Sequence, residues 1–316
     1  MLKLRTNKAI TLVILLAITI FIISPKMCMQ ATTNGLHIWL VNVVPALFPF
    51  FILTRIVIAL NQTSIPVLDK FTSKCFCTNN AGLVYFLSLL SGYPVGAKLI
   101  SSYYENGLID KAGAKKMFCF CSTSGPMFII GAIGIGVFGS AKAGYIILIG
   151  HIVGSFVNGL LYRGKNTNLV TYQPKITRTS INEIMFDSIN SILLVGGYIV
   201  LASITIRMLQ ITNILPTITQ LICNILPLNQ ELVSSVFCGI IEITNGLVML
   251  GVVDVSVKIK IAIASAIIAF SGICIMMQSV SFLDKVGLKP KEMILPKITQ
   301  SIFSLIVTCL LVIWAY

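Results

Sequence analysis

Charge is scarce in this chain. Asp, Glu, Lys and Arg make up 10% of its 316 residues, against about a quarter in a soluble globular domain. Hydrophobic residues make up 56%. The two figures together exclude a soluble domain and point to a polytopic membrane protein. A disulfide framework is also missing. The nine cysteines are odd in number, and Cys223, Cys238, Cys274 and Cys309 lie inside apolar runs as small hydrophobes. Neither Gly-x-Ser-x-Gly nor His-Glu-x-x-His occurs, so two common hydrolase signatures are absent. No nucleotide-binding loop is present, so ATP-driven transport would need a partner. No cofactor motif and no large extramembrane stretch are found. Long basic patches with interleaved aromatics are lacking, so the net charge of +13 does not speak for nucleic acid. The Lys and Arg residues gather between apolar segments, where they set topology and meet the headgroups of the lipid bilayer.

The apolar segments can be taken in order. Lys3, Arg5 and Lys8 precede Ala9 to Ile23. No small-residue cleavage site follows, which predicts an uncleaved first helix with a cytoplasmic N-terminus. Leu36 to Leu60 is a second segment, kinked by Pro45 and Pro49, with Trp39 as an interfacial anchor. Arg55 near its far end is read as snorkelling to the interface, with a substrate-facing role as the alternative. Asn61 to Asn80 reads as a polar loop. Ala143 to Tyr162 is an ordinary span in which His151 and Asn158 are interhelical hydrogen-bond partners. Arg163 to Asn182 is a basic loop, expected to be cytoplasmic. Glu183 to Ile211 is a long span whose first acids, Glu183 and Asp187, suit a helix N-terminus. Thr212 to Gln230 either spans or lies at the interface. Asp284 to Lys297 reads as a charged loop before a last span, Ile298 to Trp314. Cys75-x-Cys77 and Cys119-x-Cys121 resemble metal-ligand pairs, but the spacing is short for zinc and no other ligands accompany them, so no metal is expected.

What the sequence does contain is interruption of apolar runs by polar and helix-breaking residues. Ala81 to Leu90 is too short to span and stops at Ser91-Gly92-Tyr93-Pro94, after which Gly96, Ala97 and Lys98 resume a helix. Asn106-Gly107 makes a turn, and Asp110 is placed to cap the next helix. That helix breaks at Ser122-Thr123-Ser124-Gly125-Pro126 before the glycine-rich Met127 to Phe138. The second half repeats the pattern. Leu232 to Ile241 is cut by Glu242-Ile243-Thr244-Asn245-Gly246, and the helix after Asp254, Lys258 and Lys260 breaks at Ser271-Gly272. Broken backbone at membrane depth is tolerated only where it is buried in protein or lines a wet cavity, and a charge there marks a functional site by default. Paired interrupted helices in matching positions of two halves are expected of a secondary transporter with its site between them. The expected fold is therefore all-α, with two structural repeats, re-entrant hairpins and discontinuous helices. Residues 1–164 form the first half, 165–182 the connecting loop and 183–316 the second half. The candidate solute-binding residues are Ser91, Gly92, Tyr93, Pro94, Gly96, Lys98, Ser122, Thr123, Ser124, Gly125, Glu242, Thr244, Asn245, Ser271 and Gly272.

The stretches Ser91 to Lys98, Ser124 to Ala132 and Glu242 to Gly246 resemble the YlbJ family of sporulation integral membrane proteins, within the Gate or nucleoside-recognition group of membrane domains. The resemblance covers most of the chain from about Leu36. It implies an architecture similar to concentrative nucleoside transporters. It also implies movement of dipicolinic acid across the outer forespore membrane of a spore-forming bacterium. A planar dianion needs positive charge and hydrogen-bond donors. Lys98 can supply the charge, and the freed N–H groups of Ser91 to Gly96 and Ser122 to Gly125 the donors. Glu242 would repel a dianion. It could pair with Lys98, serve proton coupling or bind a co-transported cation, or else be a buried acid satisfied by Asn245 and nearby backbone. A coupling ion, proton or sodium, and a homo-oligomer are both compatible with this reading. A carrier of nucleosides or another neutral polar solute is the alternative, with Glu242 and Asn245 binding sugar or base. A membrane hydrolase using Ser124 or Ser91 with His151 is disfavoured.

Overall fold

A computed structural model describes residues 8–60, 64–164 and 180–315. The described residues form helices joined by short connections and contain no β-strand. The first half runs α1 (Lys8–Ile23), α2 (Pro25–Ile38), a π-helical turn (Trp39–Val43), α3 (Val44–Ala59), α4 (Pro66–Phe76), α5 (Gly82–Ser91), α6 (Val95–Glu105), α7 (Lys111–Cys121), a π-helical stretch (Met127–Val137) and α8 (Ala141–Leu161). The second runs α9 (Ile181–Ile211), α10 (Ile214–Ile225), α11 (Gln230–Ile241), α12 (Ile243–Val252), α13 (Val257–Phe270), α14 (Gly272–Phe282), a 3-10 turn (Asp284–Val286) and α15 (Pro290–Ala315). Among the described residues five helical segments are long and apolar enough to cross a membrane: Pro25–Ala59, Ala141–Leu161, Ile181–Ile211, Val257–Phe282 and Pro290–Ala315.

The helices are inside-out relative to those of a soluble protein. Along α15, Lys297, Gln300, Ser304 and Thr308 recur at helical spacing and are buried, whereas Ile302, Ile306, Leu310 and Ile313 face outward. In water that arrangement would be unstable; in hydrocarbon it is the favourable one, because the inward polar groups find partners. Ser265 of α13 supplies them, linking to Ser304 and Thr308 hydroxyls at 2.7 Å each. Gly150 and Gly154 of α8 let its backbone lie directly against these residues: a Cβ on Gly150 would stand 2.0 Å from Thr308 Oγ1. Small residues one turn apart permit this close approach. The helices α8 and α15 are antiparallel, since Lys142 reaches Ala315 O while Asn158 reaches Pro296 O.

A second long pair is formed by Pro25–Ala59 and α9. Gly35 lies against Val200 and Ser203, and Trp39 packs on Gly196. The Trp39 indole donates to Ile192 O at 3.0 Å, and Arg55 pairs with Asp187. These contacts also run antiparallel. Trp39 is therefore a contact between the two long helices. The span begins at Pro25, with proline at a tolerated first-turn position, which puts Trp39 in mid-helix.

Several expectations are corrected. The loop expected over 61–80 contains α4, opened by Pro66 and held by Asp69, whose carboxylate accepts from Gly82 N at 2.8 Å. Lysines on the exposed face of a short amphipathic helix resemble loop in composition. The charged segment 284–297 is loop only in its first part. The helix α15 starts at Pro290 and carries Lys297 inward. The helix α10 has 12 residues, about 18 Å, too short to cross. Ser180 caps α9 in a reciprocal pair with Glu183, so this helix starts inside the expected loop, most of which lies outside the described residues. Asp110 caps α7, accepting from Gly113 N at 2.7 Å.

The first-half breaks are held by backbone-to-backbone contact. A Cβ on Gly96 would stand 2.0 Å from Cys121 O, with no flexible side chain to give way. Gly197, on α9, has nothing within 4 Å of its Cβ position. Gly96→Ala is expected to lower the unfolding temperature in detergent by about 5 °C or more, whereas Gly197→Ala should match or slightly exceed the native value, as alanine is the better helix former. Parallel melts of the two variants check this.

Candidate functional site

The interruptions meet near the middle of the molecule. In the first, α5 ends at Gly92, in a φ +80° conformation open to glycine, and the Tyr93–Pro94 bond is cis. In the second, residues 122–125 are unwound. The two are in contact: a Cβ on Gly92 would lie 2.4 Å from Gly125 N, and Thr123 Oγ1 donates to Ser88 O at 2.9 Å. In the other half, Glu242 is a single extended residue between α11 and α12, and Ser271 a single left-handed residue between α13 and α14. Gly272 packs on the Gly239 and Ile240 carbonyls.

Each break leaves orphaned backbone groups that need partners. Glu242 meets this need itself. Its carboxylate accepts from Thr244 N at 3.1 Å, Asn245 N at 2.8 Å and Asn245 Nδ2 at 2.9 Å, which caps α12. Asn245 Nδ2 also reaches Ser203 Oγ. Residues 122–125 are served from outside their own helix. His151 Nε2 accepts from Ser124 N at 2.8 Å, and the fully buried Lys297 donates to Ser122 O at 2.5 Å. The imidazole thus takes the Ser124 amide, not its hydroxyl, so no serine–histidine hydrolase pair forms there. Lys297 also donates to Gln300 Oε1 at 3.0 Å and lies 3.4 Å from the Tyr93 hydroxyl, its ammonium 4.7 Å from that ring's centre. The Tyr93 hydroxyl donates across to Ile268 O of α13 at 3.0 Å.

A narrow cavity of about 50 Å³ sits at this junction. It is lined by Gly92, Tyr93, Ser124 and Gly125 from the first half and by Glu242, Thr244 and Gln278 from the second, with Asn42 and Val195 from the long pair. That volume suits a few waters and lies well below the ~300 Å³ of ordinary ligand pockets. Ser91, Pro94, Gly96, Ser122, Thr123, Ser271 and Gly272 do not line it.

Lys98 is not here. It lines a separate open cavity of about 560 Å³, with Arg55, Glu105, Asp187, Asp284 and Lys285. Its ammonium donates to Ser191 Oγ and, at 3.2 Å, to Asp187 O. Of the roles left open for Glu242, pairing with Lys98 does not form: Lys98 stands one helical turn beyond the break, which carries it away from the junction. Arg55, read from sequence as a lone snorkelling cation, pairs with Asp187. Asn245 faces a third cavity of about 240 Å³, with Gln30, Asn34, Ser203, Arg207 and Gln210. Lys297, Gln300, Gln278 and Asn42 do not stand out in the sequence. The signal that could have found two of them is the polar stripe of α15 at i, i+3, i+7 and i+11. Among the described residues no three potential metal ligands converge.

The chain is similar to the sporulation integral membrane protein YlbJ of Bacillus subtilis strain 168, at 27% identity over 318 aligned residues, covering 91% of this chain and 78% of that protein. No protein-family model and no solved structure matches it. The near full-length similarity supports a YlbJ-like family assignment.

The capping role of Glu242 is testable apart from any solute. Glu242→Ala should destabilise the detergent-purified protein by about 1–2 kcal/mol, read as a drop in unfolding temperature, because two buried amides of α12 lose their acceptor.

Proposed function

Taking the YlbJ-like assignment as premise, we propose that this chain is a membrane transporter, without catalytic activity, that moves a small organic anion, with dipicolinate as the solute. The observation that carries the reading is the row of cavities along one helix pair. Asn34, Val43 and Arg55 on one member, and Arg207, Val195 and Asp187 on the other, mark the 240, 50 and 560 Å³ cavities in turn. From Asn34 to Arg55 is 21 residues, about 31 Å of helix, which matches the hydrocarbon thickness. Two wider cavities separated by a narrow, mostly apolar-lined constriction that carries Glu242 suit alternating access at a fixed central site.

Repeats and re-entrant hairpins belong to this proposal. Support comes from reciprocal packing. The helix α6 packs on α14, and α12 on the π-helical stretch 127–137; α3 packs on α5, and α9 on α11; α4 packs on α5, and α10 on α11. Exchanging halves exchanges these pairs. Asn80 Nδ2 donates to Leu108 O at 3.0 Å, so α5 and α6 leave and return at one end. Gly246 packs on Gly239, so α11 and α12 fold back as well. The end carrying Lys98 also gathers Lys111, Lys115 and Lys285. An excess of lysine suits a cytoplasmic face, and the proposed cytoplasmic N-terminus requires α1 to cross in addition to the five long segments. The proposed setting is the outer forespore membrane.

A second reading is favoured by one observation. The central cavity carries Glu242 and no Lys or Arg, which suits a neutral polar solute such as a nucleoside. The cations that meet an anion first would be Arg207 in one vestibule and Lys98 in the other.

Uptake into proteoliposomes decides between them. Saturable dipicolinate uptake is expected, with KM rising about tenfold in Arg207→Gln or Lys98→Ala, the size of one lost charge-assisted contact. Uptake of uridine without dipicolinate uptake, insensitive to either substitution, would give the second reading preference.

A further inference from the structure

Lys297 is the least expected group in the molecule. It is 1% exposed, and among the described residues no acid lies within ion-pair distance of it. Its ammonium instead rests on neutral oxygens and π-faces: Ser122 O, Gln300 Oε1 and the Tyr93 hydroxyl, with the rings of Tyr93 and Phe118 at 4.7 and 5.8 Å. Oxygens of unwound backbone, a side-chain carbonyl and a hydroxyl are the ligand set that an unwound membrane segment offers a monovalent metal cation, and aromatic faces add attraction for any cation. Lys297 does not line the central cavity, so it stands behind Tyr93 and not against the solute.

We propose that the Lys297 ammonium is a tethered cation, occupying within the 122–125 break the place that a sodium or potassium ion would otherwise take. The break therefore holds its shape without any inorganic cation, and a transport cycle needs no sodium at this position. That consequence for transport rests on the reading above; the cation site itself does not.

The test uses the full-length protein in detergent, melted in sodium, potassium or choline chloride at equal ionic strength. The native protein should melt at the same temperature in all three. Lys297→Ala should lose about 5 °C or more in choline and recover at least half of that loss in sodium or potassium. Lys297→Gln, which keeps a donor but no charge, should behave like Lys297→Ala. Three results would each overturn the proposal: specific stabilisation of the native protein by sodium or potassium, equal melting of Lys297→Ala in all three salts, or full stability of Lys297→Gln in choline. The native arm keeps the proposal open to refutation even where neither variant folds, and none of the readouts depends on which solute is carried.

Discussion

Everything in this molecule turns on what becomes of a backbone amide or carbonyl freed by interrupting a helix in an apolar interior. In water such a group would be solvated at little cost. Surrounded by hydrocarbon and packed side chains it must find a partner in the protein. The four breaks solve this in different ways. At Gly92 to Pro94 the chain turns within three residues, and the Gly92 amide returns to Ser88 O at 2.9 Å. At Glu242 a carboxylate stands in for the missing turn. At Ser271 two consecutive residues of positive φ, Ser271 and Gly272, make the break, with the Ser271 amide shared between Ile267 and Ile268 carbonyls at 3.1 Å. Only the four residues 122–125 are too long for self-service. They recruit His151 from α8 and Lys297 from α15, and that recruitment requires α8 and α15 to cross close to the break. The glycines that let α8 lie on α15 follow from the same need.

This explains why polar side chains point inward along helices whose outer faces are plain hydrocarbon. Asn158 shows it on a small scale. Its amide donates to Cys119 O and Pro296 O, and its carbonyl oxygen accepts from Thr299 at 2.6 Å. One side chain thus ties α7, α8 and α15 together. Each such bond adds only about 1 kcal/mol, but an unmet group would cost more than a met one gains, so the asymmetry fixes which helices can be neighbours.

Much of this is legible in the sequence, and the rest is hidden for identifiable reasons. The break at Ser91–Pro94 announces itself, since Gly and Pro in an apolar run have no bland explanation. Glu242 is likewise conspicuous as an acid among aliphatics, and its satisfaction by Asn245 follows from the cap spacing. Lys98 and Lys297 are the pair that sequence reasoning misplaces. Both are lysines near helix-compatible sequence. Lys98 sits beside the long motif, which draws attention to it, but its rotation about α6 aims it at Ser191 and Asp187. Lys297 follows Lys285, Lys289, Lys291 and Glu292, and so reads as one more loop charge. Its burial depends on α15 starting at Pro290, and on partners 175 and 204 positions away in sequence, at Ser122 and Tyr93. No local pattern carries that information. The π-helical stretch 127–137 is also invisible there, because glycine-rich apolar sequence is compatible with several helical pitches.

The breaks on the two sides of the central cavity are held differently. The 122–125 segment is pinned by an imidazole from its own half and an ammonium from the other, so moving it requires breaking contacts to both α8 and α15 at once. The Ser271 break has no such pins. Among the described residues its buried hydroxyl has no partner, and Gly272 is held by packing on the Gly239 and Ile240 carbonyls and the Ile243 side chain. On the proposed transporter reading, a change of access to the central cavity would break fewer side-chain hydrogen bonds to break residues on the side of α13 and α14 than on the side of α7 and the π-helical stretch. Gln278, about two turns beyond Ser271, lines that cavity, and its amide donates only to Cys274 Sγ at 3.3 Å. Sulfur is a weak acceptor, so a solute oxygen entering the cavity would be a better partner for Gln278 than the one it has. On the proposed reading, the element best placed to respond to a solute is also the one whose break has the fewest side-chain partners among the described residues.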